Sequence, residues 1–292
     1  MDQILLSILV SSLITGSIYA LVAIGLSLVW GTLGVFNFAQ GALLMMGAYA
    51  VYYLGGNAWG RVGLLFAIPL SFFLIGALGT LFYRVVVKPF VGSPTGEMSI
   101  IMATLALGVF FENGALQFFG AQFRQLPLVF TGDFTINFIS ITWQQVLIIM
   151  IAPLMLFGLN LFLKKSKIGI AVRAVAQNRD SALLLGVPVE KIYLLVFFLS
   201  ASFSAVAGVL FGGQYFVSPD MGGNLMLQAF IVVVLGGLGN MNGTIVAAYL
   251  VGLISSLANF YIGLFWTPAV LFAVLFILVL LRPNGLLAKE RS

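Results

Sequence analysis

Neither cysteine nor histidine occurs in the 292 residues, and charge is nearly as scarce, at thirteen basic and eight acidic side chains. Without thiols or imidazoles, disulfides, thiolate nucleophiles and zinc sites of the usual Cys/His kind are excluded. Redox compartment is not encoded either, because there is nothing to oxidise. No G-x-x-x-x-G-K-[ST] stretch is present, so the chain lacks a phosphate-cradling P-loop of its own. Charged residues make up 7% of the chain, against about a quarter in ordinary soluble domains. That is too little polar surface to face water.

What remains is 62% hydrophobic, with a mean hydropathy of +1.16. About 20 apolar residues suffice for a helix to cross the hydrocarbon layer, and the chain offers such runs repeatedly. Nine candidate stretches lie between polar breaks: 4–30, 35–54, 62–83, 98–119, 144–163, 192–213, 225–239, 243–262 and 266–281. The first is overlong and follows Asp2 rather than a basic segment, so it reads as a span and not a cleaved leader. The seventh and ninth are short, and short or glycine-broken stretches can be re-entrant if protein shields their backbone.

The basic residues orient these spans. With nine crossings and 164–191 in the cytoplasm, segments 84–97, 164–191 and 282–292 hold eleven of the thirteen Lys and Arg side chains. Only Arg61 and Arg124 remain outside. Such a bias is the positive-inside pattern, and it explains the net charge of +5 without nucleic acid. The N-terminus is then outside; eight crossings follow instead if 35–54 is re-entrant. Within the outer segment 120–143, "FTINF" and "ISITW" alternate like short strands. The expectation is an all-α polytopic membrane protein, one domain over 1–292, with 8–9 transmembrane or re-entrant helices.

Segment 164–191 stands out because it carries eight of the chain's charges. Asn178 suits a helix N-cap, Asp180 the first turn, Gly186 the C′ position, and Pro188 follows where a helix cannot continue. "RDSALLLG" therefore reads as a two-turn cytoplasmic helix. Something must cover its Leu183-Leu184-Leu185 run. Either the leucines fold back on the membrane ends, or the helix docks in another protein's groove.

Inside the spans, Glu112 is the one deeply placed carboxylate, followed by Asn113. A charge at that depth costs a few kcal/mol and must be paired, hydrated or protonated. It reads either as a pathway residue for an ammonium group or as a packing hydrogen bond. Asn37 and Gln40, with Gly34 and Gly41, interrupt the second stretch; Gly236, Gly237, Gly239, Asn240, Asn242 and Gly243 interrupt the seventh and eighth. Glycines let helices approach closely. A broken helix also exposes amide and carbonyl ends that can meet a zwitterion. Asn37, Gln40, Glu112, Asn113 and Asn240 are the pathway candidates, and no metal site or catalytic set is expected.

"RDSALLLGV" resembles the EAA motif of ABC importer permeases, with Asp180-Ser181-Ala182 in place of Glu-Ala-Ala. The chain as a whole is similar to LivH-type permeases of branched-chain amino acid importers. The resemblance is carried by "GLSLVWGTLGVFNFAQGALLMMGAY", "ATLALGVFFENGALQFFG", "GIAVRAVAQNRDSALLLGV" and "LGGLGNMNGTIVAAYLVGL", which span most of the chain in the family's order. It implies a transport subunit rather than an enzyme, in the inner membrane. Asp180, Ser181, Ala182, Leu183, Leu184 and Gly186 would form the coupling helix against a cytoplasmic ATPase. The implied partners are a LivM-like second permease, two ATPase subunits and a periplasmic amino-acid binding protein. No cofactor is implied on this chain, since ATP would be bound by the partners. Branched-chain amino acids are the family's default substrate; urea or amides are the alternative, and a gradient-driven carrier a more distant one.

Overall fold

The computed structural model describes residues 2–56, 60–126, 132–136, 139–282 and 285–286. Eleven α-helices lie among them: α1 (Asp2–Leu33), α2 (Gln40–Gly56), α3 (Gly60–Phe82), α4 (Gly96–Phe119), α5 (Trp143–Lys165), α6 (Lys167–Gln177), α7 (Arg179–Leu184), α8 (Val189–Gln214), α9 (Met221–Gly236), α10 (Met241–Tyr261) and α11 (Thr267–Leu281). The two alternating stretches form an antiparallel hairpin of β1 (Asp133–Ile136) and β2 (Ile139–Thr142), as their pattern predicts. In hydrocarbon every backbone amide must pair within the protein, so long apolar runs become helices. Seven helical stretches, Ile4–Leu33 the longest, have the length and hydropathy to cross; α9 is shorter, and α2 has 17 residues. At 32 residues, α1 is about 48 Å long, so it tilts or reaches into both headgroup layers.

Two sets of contacts fix the ends of the bundle. Tyr53 accepts a 2.8 Å hydrogen bond from Arg124, whose backbone pairs with Val217. Residues 53, 124 and 217 thus share one end. At the other, Leu286 N–H donates to Leu235 C=O at 2.8 Å, and Lys88 pairs with Glu190. The described helices run between these ends, with the C-terminal end of α1 beside the charged segment. Two passes, α9 and α10, meet at 237–240 as parity requires. Of the basic tail, Lys289 and Arg291 lie outside the described residues, as does the side chain of Arg61.

The second crossing is made in two halves. Residues 34–39 rise from the end that carries the charged segment, without helical structure, and α2 begins at Gln40, level with Ser200 and Ser204 near the middle of α8. Two of the amides exposed by this break find side-chain acceptors: Asn37 Oδ1 accepts from Ala39 N–H at 3.2 Å and Thr104 Oγ1, on α4, from Phe38 N–H at 3.3 Å.

Helix α8 is the hub. In its most apolar stretch 72% of residues are buried, against 17% for α4 and 11% for α11. Small residues allow this. A Cβ at Gly47 would stand 2.5 Å from Ala205 Cα, and one at Gly41 would stand 2.5 Å from Gly222 O. Close backbone approach is what holds helices together in lipid, where burial from water contributes nothing.

Candidate functional site

The charged segment is built from three consecutive caps. Ser166 ends α5 and starts α6, its hydroxyl accepting from Gly169 N–H at 2.8 Å. Gly169 turns directly beneath α5, with no room for a side chain beside Leu163. Helix α6 then buries Val172 and Val175 while Arg173 stays exposed. Asn178 closes α6 and opens α7, its Oδ1 accepting from Ser181 N–H at 2.8 Å. Asp180 sits in the first turn of α7, where the helix dipole favours a carboxylate.

The end of α7 is a complete Schellman arrangement. Val187 N–H reaches Ala182 C=O and Gly186 N–H reaches Leu183 C=O, both at 3.0 Å, with Gly186 at φ +78°. Ala182 alone is anchored in the protein, at 2% exposure. Leu183, Leu184 and Leu185 point away from it at 55%, 88% and 82% exposure. The leucines do not fold back on the membrane ends. This is a capped, outward-facing apolar knob at the end of the bundle that carries the charged segment.

The intramembrane candidates separate into different environments. Gln40 is fully buried and holds α2 to α8: its Nε2 donates to Ser200 C=O and Ser204 Oγ, and its Oε1 accepts from Ser200 Oγ at 2.7 Å. Asn37, at 2% exposure, caps the break before α2 with its Oδ1, while its Nδ2 has no partner. Glu112 lines an open groove of about 420 Å³ between α2, α4 and α9, together with Phe38, Gly41, Met45 and Asp220. Asn113 turns back on its own helix, donating to Val109 C=O at 2.8 Å. Asn240 lies beside the charged segment, as N-cap of α10, accepting from Gly243 N–H at 3.1 Å. The structure thus brings Asn37 and Gln40 together at the mid-membrane break, with Glu112 in the groove beside it, and leaves Asn240 apart.

The family model for the permease component of the branched-chain amino acid transport system matches residues 8–280. The chain belongs to that family. It is 31% identical to the high-affinity branched-chain amino acid permease BraD of Pseudomonas aeruginosa, over 96% of this chain and 95% of that one. Identity is also 31% to the LivH permease of Escherichia coli K12, over 94% of this chain and 92% of LivH. The LivM permease of the same bacterium is 27% identical across 94% of this chain. The permease is therefore a multi-pass membrane transport component, as its sequence implies.

Sequence reasoning missed two elements of this permease. Ser200, Ser202 and Ser204, all fully buried on α8, receive Gln40 and the Phe72 carbonyl. The spacing S-x-S-x-S cannot face one side of a helix, so it gives no periodic signal. Arg124, noted only as an outer charge, is an anchor. It donates to Tyr53 Oη and to Phe119 C=O and lies 5.2 Å from the Tyr52 ring centre. Its aromatic partners lie about 70 residues away, beyond any local motif.

Proposed function

We propose that this chain is one permease subunit of an ATP-dependent importer of branched-chain amino acids in the inner membrane. It forms a single domain and works with a LivM-like second permease, two ATPase subunits and a periplasmic binding protein. The observation that carries this reading is the α7 knob. Three leucines held in water by an N-cap and a Schellman end cost free energy unless a partner covers them. A short capped helix laid in another protein's groove is a familiar mode of recognition. With no P-loop in the sequence, energy from ATP must enter through such a contact. Similarity to both LivH and LivM supports a pair of permeases built alike.

In this reading the ammonium group of the substrate passes the Glu112 and Asp220 side of the groove, and Asn37 Nδ2, near the start of α2, donates to its carboxylate. Gln40 and Asn113 support the helices around that route, and Asn240, apart from it, caps α10. The test is reconstitution of the chain in liposomes with the permease, ATPases and binding protein encoded beside it. Labelled leucine, isoleucine and valine should enter only with ATP inside the ATPase compartment. Uptake that persists without the ATPases and follows a proton gradient would remove the reading.

A further inference from the structure

A second cavity, of about 850 Å³, lies at the cytoplasmic end over the last two turns of α1. Its walls are the end of α5, helix α6 and the turn into α10. Helices α5 and α10 each pack on α1 but share no packed seam, which leaves the cleft between them. Three cations line it, Lys164, Arg173 and Arg179, with Asn160 among several amides. No carboxylate lines it, and none of the three cations forms an ion pair among the described residues. The N-terminus of the 21-residue α10 adds a positive dipole end to the same space.

The composition of the walls selects the ligand. A zwitterionic amino acid would bring an ammonium group with no carboxylate to meet it, so the transported solute fits badly. A phosphate group, negative and without a compensating cation, fits well. The lining is also half apolar: Trp30, Leu163 and Val172 lie beside the cations. An anion carrying a hydrocarbon tail matches both parts, and the apolar stretches Ile4–Leu33, Trp143–Lys165 and Met241–Tyr261 all have an end here. Basic pockets between helices on the cytoplasmic face are recurrent headgroup sites.

We propose that this cleft holds the phosphate of an anionic phospholipid from the cytoplasmic leaflet, clamped between α5, α6 and the start of α7. Through Arg179, the first residue of α7, the lipid would touch that helix directly. The proposal is independent of which solute is transported.

The test uses the full chain, purified in detergent and exchanged into nanodiscs containing phosphatidylcholine with a trace of phosphatidylglycerol. Native mass spectrometry reads the lipid retained after stripping. Wild type should keep phosphatidylglycerol over phosphatidylcholine. Each cation removed should weaken retention about fivefold, and K164Q/R173Q/R179Q on the order of a hundredfold. K165Q/K167Q, which removes charge just outside the cleft, should retain lipid as wild type does. R173Q alone, read for the fivefold step, keeps the test valid if the triple variant does not purify. Undiminished retention by the R173Q and triple variants, or equal loss from K165Q/K167Q, would overturn the site. Displacement of the lipid by millimolar inorganic phosphate, bound equally well by itself, would reassign it to a free anion.

Discussion

Replacing Gly186 by Val separates docking from folding more cleanly than any other change in the chain. The residue adopts φ +78°, and nothing lies within 4 Å of where its Cβ would stand. The substitution therefore creates no clash, and its whole cost is conformational. Placing an L side chain in the left-handed region costs about 1–2 kcal/mol, and β-branching puts Val at the upper end. That penalty falls on α7, a six-residue helix too short to persist alone. The two Schellman hydrogen bonds go with it, and the leucine knob loses its fixed aim. A penalty of one or two kcal/mol changes a population about 5- to 30-fold, and affinity for the ATPase should fall by that factor. The assay is the dissociation constant of the purified ATPase on nanodisc-held permease, with membrane abundance measured alongside. Abundance should be unchanged, since no span is touched. Gly186→Asn should recover most of the affinity, because Asn tolerates that conformation. Full affinity and normal uptake in Gly186→Val would refute the docking role of α7. Equal losses in the Val and Asn variants would refute the backbone argument.

Gly47→Val should lower membrane abundance on immunoblots, because its side chain would meet Ala205 on α8; overpacking of this kind costs about 1–3 kcal/mol. Gln40→Leu leaves buried Ser200 and Ser204 without their partner and should reduce stability by about 1–3 kcal/mol, read as a lower thermal midpoint in detergent. Glu112→Gln should keep most ATP-driven uptake, since ATP rather than a proton gradient drives transport in this reading; collapse of wild-type uptake on dissipating the proton gradient at constant ATP would contradict this. Ser166→Cys, introduced into a chain without cysteine, should resist an impermeant thiol reagent added outside sealed cells, and labelling there would invert the topology.

Where the chain announced its structure, it did so through residues that act within a few positions of themselves. Asn178, Asp180, Gly186 and Pro188 bound α7 because caps and turns are local. The alternation of 133–142 gave the hairpin for the same reason, and the Gly34–Gln40 interruption marked the broken second crossing. What stayed hidden depends on residues far apart in sequence. Gln40 read as a pathway candidate, and nothing near it in sequence reveals its bonds to serines 160 and 164 positions away. The cations of the cytoplasmic cleft read as loop charge until the turn into α10 was brought beside them. Glu112 is intermediate: its depth was legible, but its groove is formed by α2 and α9.

One economy in the chain's length bears on how motion would travel. Asn178 serves as the last cap of α6 and the first of α7, so no spare residue separates the two helices. On the far side only Leu185 to Pro188 intervene before α8 begins. A linkage this short has no slack, so a shift of α7 by an ångström or two passes directly into its neighbours. Helix α8 is the element on which α1, α2 and α3 all rest. The knob is thus the short arm of a lever whose long arm is the centre of the bundle, and a push at Leu184 is felt beside Gln40.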